Sequence, residues 1–99
     1  MHELGLANGI LDLVQQYVPE ARAPQLTRVH VRIGEFAGVL PESLSFCFSA
    51  IVQGTPYDRA TLDITRSQGR EMVVSELELE DDLGGAEAPP LRTPGGPGL

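Results

Sequence analysis

Three features of this sequence predict an α/β fold of helix–strand–helix–strand–strand order. Apolar residues recur at helical spacing over residues 3–18 and again from Leu40 to Ile51, and between those stretches they alternate at strand spacing. Two more β-type runs follow, ATLDITR and EMVVSELELED, separated by the four-residue turn SQGR. The arrangement that buries these faces is a small two-layer sandwich, a three-stranded mixed sheet covered by two helices.

The first helix is predicted over residues 3–18. Leu4, Ala7, Leu11, Val14 and Val18 form one stripe, widened by Ile10 and Tyr17. Gly5 and Gly9 each weaken it by up to ~1 kcal/mol relative to alanine. Pro19 ends it, because a residue preceding proline avoids the α region, and PEARAPQ reads as a linker loop. The first strand, LTRVHVRIGEF, sets Val29, Val31 and Ile33 against Arg28, His30 and Arg32 on its polar face. Gly34 and Gly38 mark a bend leaving it.

The second helix is predicted over LPESLSFCFSAIVQG. Pro41 and Glu42 suit its first turn, Leu40, Leu44, Cys47 or Phe48, and Ile51 form its stripe, and Gly54 sits at its C-terminal cap. In ATLDITR, Leu62 and Ile64 share the buried face. In EMVVSELELED the apolar parity shifts between Met72/Val74 and Leu77/Leu79, which a bulge near Ser75 reconciles. Across so short a turn, these last two strands are expected to be antiparallel neighbours. After Asp82, Gly and Pro fill nine of seventeen positions and no periodicity survives. The expected division is therefore an ordered domain over residues 1–82 and a disordered tail over 83–99.

Net charge is −7, and every cation is arginine. Phosphate backbones need a basic footprint, so nucleic acid is excluded as a partner. No apolar run reaches the ~20 residues of a membrane span, and no basic segment with an apolar core opens the chain. The expectation is a cytoplasmic protein. Its single cysteine, Cys47, excludes an internal disulfide and a CxxC pair; between two phenylalanines it reads as a small buried hydrophobe. His30 reads as solvated or paired across strands. Glu76, Glu78, Glu80, Asp81 and Asp82 read as a solvated strand edge that discourages sheet pairing. No Ser/His/Asp set or paired catalytic carboxylates stand out, and GEFAG lacks the lysine of a phosphate-binding loop. An enzyme is not expected.

The opening Met1-His2-Glu3 admits two accounts. It is either a solvated helix start or a chelate. A free α-amine has an ordinary pKa near 7.7–8.0 and can be deprotonated for a metal near neutral pH. An imidazole at the second position can close fused chelate rings with the amine and its own amide, and the Glu3 amide can supply a fourth in-plane nitrogen. Four nitrogens in a plane suit Ni(II) or Cu(II) rather than tetrahedral Zn(II).

MHELGLANGILDLV, the V-x-V-x-I-G-E-x-x-G-V-x-P-E segment from Val29 to Glu42, the later Gly54-Thr55-Pro56 and GREMVVSELELED together resemble the HypA/HybF family. The resemblance covers residues 1–66 and 69–81. It implies a nickel metallochaperone of [NiFe]-hydrogenase maturation, in some bacteria linked to urease. It implies a Ni(II) site on Met1, His2 and Glu3, with His2 indispensable and Glu3 supporting nickel binding and partner contact. The implied partners are a nickel-binding maturation GTPase and the hydrogenase large-subunit precursor. The family also has a zinc module between the second and third strands, held by two CxxC pairs. Here residues 67–70 are SQGR and Cys47 stands alone, so no structural zinc of that kind is expected. The alternative is a HypA-like interaction module that has lost metal handling and only docks a maturation partner.

Overall fold

Strand β1 (Leu26–Gly34) is the centre of the molecule, with a strand on either side and helices on one face. The computed structural model describes residues 2–80. Helix α1 (His2–Tyr17) and a 3-10 segment (Glu20–Gln25) precede β1; helix α2 (Pro41–Val52) and strands β2 (Thr61–Ser67) and β3 (Met72–Leu79) follow it. This is the expected element order and the expected mixed sheet. The boundary expected at 82/83 and the tail over 83–99 lie outside the described residues.

β2 and β3 are not the antiparallel neighbours that their short connection suggested. The strand order is β2-β1-β3, with β2 parallel and β3 antiparallel to β1. The link through α2 sets β2 parallel to β1, as in a βαβ unit. Residues 68–71 then step over the end of β1 to its other edge. Two strand spacings are about 10 Å, within reach of four linking residues at about 3.4 Å each. Backbone bonds fasten the crossing: the Gly34 N–H donates to the Glu71 carbonyl (2.8 Å), Glu35 to Ser67 (2.7 Å) and Phe36 to Gly69 (2.9 Å). A short loop therefore does not by itself make a hairpin.

The bulge at Ser75 is present. His30 opposes Glu76 and Val31 opposes Val74, so Ser75 is skipped, and its hydroxyl donates to the His30 carbonyl at 3.3 Å. A second irregularity at Thr27 shifts the register on the other strand.

The core joins Ala7, Ile10, Val14 and Val18 to Leu26, Val29, Val31 and Ile33 of β1 and to Leu44, Phe48 and Val52 of α2. Both helical stripes are turned from the expected ones. On α1, Ile10 is buried whereas Leu4 and Tyr17 are exposed; Leu4 lies about 80° round the helix from the centre of the buried face. Leu40 is 63% exposed because it is the extended residue before α2, outside the helical period. PEARAPQ is no plain loop: it winds into the 3-10 segment and buries Ala23.

Tyr57 closes the far end of the core. Its ring is buried and its hydroxyl donates to the Val18 carbonyl, at the end of α1, at 2.7 Å. Tyr57→Phe strands that carbonyl, so a loss of about 1–3 kcal/mol is expected in urea unfolding.

Candidate metal site at the N-terminus

α1 begins at His2. The first N–H groups of a helix have no acceptor within it, so the helix makes no claim on the His2 and Glu3 amides. His2 is exposed and Glu3 is half-buried. Met1 lies outside the described residues, so the structure describes two of the three expected site residues, side by side on the first turn.

Glu3 is engaged elsewhere by its side chain. The backbone N–H of Leu40 donates to Glu3 Oε2 at 3.1 Å. Leu40 is the residue at which α2 starts, and its own side chain cannot cap. Glu3 thus does for α2 what a glutamate three residues into a helix does in a capping box, and it brings a negative charge to the positive end of the dipole. Sequence reasoning missed Leu40 as a partner; the signal was a helix start, Leu40-Pro41, with no capping side chain of its own.

His30 and the acidic strand end also find partners on the sheet face away from the helices. His30 Nε2 lies 2.9 Å from Glu78 Oε1 on β3, and Nδ1 lies 3.6 Å from Asp63 on β2. Arg28 approaches the same Asp63 at 3.9 Å. Arg59 pairs with Glu80 at 2.8 Å. The cross-strand account of His30 therefore holds, and the acidic edge is partly paired rather than simply solvated. His30's two carboxylate partners sit on different ring nitrogens, so one metal ion cannot take all three. Among the described residues, no group of three or more His, Cys, Asp and Glu is placed to hold a metal. Cys47 is half-buried against the core. An open groove lined by Glu35, Phe36, Gly38 and Arg70 contains no nucleophile.

Two carboxyls are held below the ordinary glutamate range. For Glu3 the main cause is the Leu40 N–H. For Glu71 it is the Ser67 hydroxyl, followed by its own backbone N–H, with Arg32 adding to these. A carboxyl depressed in the folded state stabilises it when ionised; that contribution is whole above the unfolded value and is lost as pH falls through the folded one. Stability should therefore drop as pH falls from about 5 toward 3, and Glu71→Gln should make the urea midpoint less pH-dependent over that interval.

Fold and terminus together define a small α/β domain with an exposed imidazole, that of His2, on the first turn of its first helix. The family described as hydrogenase/urease nickel incorporation metallochaperone, HypA, matches residues 1–74. The chain belongs to this family. The hydrogenase maturation factor HypA of Paracoccus denitrificans is 35% identical over 86 residues, spanning 84% of this chain and 76% of that protein. That of Archaeoglobus fulgidus is 35% identical over 88 residues, spanning 81% and 80%. The solution structure of the Ni metallochaperone HypA from Helicobacter pylori is similar in fold, with a TM-score of 0.65 at 18% identity, covering 79% of this chain and 97% of that one.

Proposed function

We propose that this chain is a carrier of Ni(II) rather than an enzyme. It holds the ion through the Met1 amine, the His2 amide and imidazole and the Glu3 amide, and delivers it during [NiFe]-hydrogenase maturation or, as the family description allows, to urease. The observation that supports this most is the start of α1 at His2, which leaves the needed amides unclaimed by helical hydrogen bonds. A donor set of one imidazole and backbone nitrogens needs no cluster of acidic or thiol side chains. It suits a planar ion, and a site on a terminal turn can open without unfolding the core. Family membership favours metal handling over the docking-only alternative.

The recipients are a nickel-binding maturation GTPase and the hydrogenase large-subunit precursor, and the setting is the cytoplasm; among the described residues no helix is long and apolar enough to cross a membrane. No structural zinc held by CxxC pairs is expected, since Cys47 is the single cysteine. Residues 1–82 are the nickel-binding domain.

Titration of Ni(II) into protein with its authentic terminus tests the reading. One ion per chain is expected, with the d–d absorption of a diamagnetic planar complex. One extra residue before Met1 should abolish it, because the amine is then displaced from the ring system. Unchanged binding by the extended protein defeats the terminal chelate.

A further inference from the structure

We propose that the Glu3 carboxylate is a positioning group for the terminal nickel site: by accepting the Leu40 N–H it fastens the first turn of α1 to the start of α2, and it is not itself a ligand. This rests on the terminal-chelate reading of Met1, His2 and Glu3.

The first turn of α1 is otherwise loosely held. The first fully buried side chain of the helix is Ala7; Leu4 is 43% exposed and Leu6 only partly buried. Ahead of them, the Glu3–Leu40 bond is a tertiary tie from the turn that bears the metal residues to the rest of the domain. Isolated first turns fray, and fixing backbone on binding is costly. A turn already fastened presents the His2 and Glu3 amides with less ordering to do.

The anchor at the other end is firm. Leu40 has an extended backbone (φ −90°, ψ 114°), and its carbonyl accepts the Leu44 N–H at 3.0 Å as α2 begins. Its N–H is the group left to satisfy, and Glu3 satisfies it. A side-chain oxygen committed to α2 is directed to a partner other than the metal, whereas no helical hydrogen bond claims the Glu3 amide. The division of labour is within one residue: backbone nitrogen to the ion, carboxylate to the scaffold. A chain that loosened this tie would hold nickel less tightly without any change in the ligands.

The test compares Glu3→Ala and Glu3→Gln with the wild type by Ni(II) titration on authentic termini, following both affinity and the d–d band. Glutamine keeps an oxygen that can accept the Leu40 N–H. Glu3→Ala should bind about tenfold more weakly, Glu3→Gln within about threefold of wild type, and the band position should be the same in all three. Amide exchange at Leu40 in metal-free protein should accelerate in Glu3→Ala only, while a role confined to overall stability would move urea midpoints and leave the affinity of folded protein unchanged. A shifted band in Glu3→Ala makes the carboxylate a ligand and overturns the proposal. So does undiminished affinity in Glu3→Ala, or a loss as large in Glu3→Gln, which would assign the effect to charge. If the wild type itself lacks the band, the terminal chelate falls first, and that failure is separable because it appears before any substitution is made.

Discussion

Gly34→Ala is expected to cost about 2–4 kcal/mol and to lower the thermal midpoint accordingly. A Cβ built at Gly34 would lie 2.1 Å from the Gly69 carbonyl oxygen and 2.8 Å from the Arg70 nitrogen. Those atoms are backbone, so no side chain can swing aside. They belong to the crossing that carries the chain from β2 over the end of β1 to β3, and three backbone bonds fasten that crossing. Relief of the clash would break those bonds or push β3 off its register. Gly69→Ala is the control. A Cβ there would meet Glu71 Oε1 at 2.3 Å, the far end of a flexible side chain that can rotate away. Its expected cost is below about 1 kcal/mol, chiefly the lost Ser67–Glu71 bond. Chemical denaturation of the two variants checks the contrast; equal losses would mean that the crossing yields more readily than its hydrogen bonds imply.

Gly34 also marks where sequence reading stopped. Periodicity placed both α-helices and the three strands, and the parity change in EMVVSELELED located the Ser75 bulge, because each depends on neighbours along the chain; the 3-10 turn at Glu20–Gln25 has no such period and read as loop. Strand pairing depends on which edge of β1 is free once α2 has delivered β2. A four-residue link is compatible both with a hairpin and with a step across one strand. The glycines at 34 and 69 were legible as bends but not as two backbones in contact. The helical stripes were off by a fraction of a turn, because Leu4, Tyr17 and Leu40 are apolar without facing anything. At the terminus, the proposed chelate of Met1-His2-Glu3 rests on residue types alone. The tie from Glu3 to Leu40 was not legible in them, since it joins positions 37 apart and runs through a backbone N–H that no residue type announces.

The two histidines give the sharpest contrast in function. His2→Ala is expected to abolish the planar nickel complex. It removes the imidazole and with it a chelate ring, so the loss should exceed the about 10–100-fold that follows from losing a group that merely orients a ligand. His30→Ala should leave nickel binding as it is, because His30 is committed to Glu78 and Asp63 on the open sheet face. Its cost should be confined to stability, below about 1 kcal/mol for partly exposed polar pairs. Calorimetric titration of both variants beside the wild type reads this directly. Proton release adds an independent check on the ligand set. Coordination by amides displaces protons, so wild-type affinity should fall steeply from about pH 7.5 to 5.5, and the heat of binding should depend on the ionisation enthalpy of the buffer. An affinity flat over that range would exclude the amide ligands even if His2→Ala had lost the metal. The imidazole would then be acting as a simple surface donor, and the start of α1 at His2 would be irrelevant to the ion.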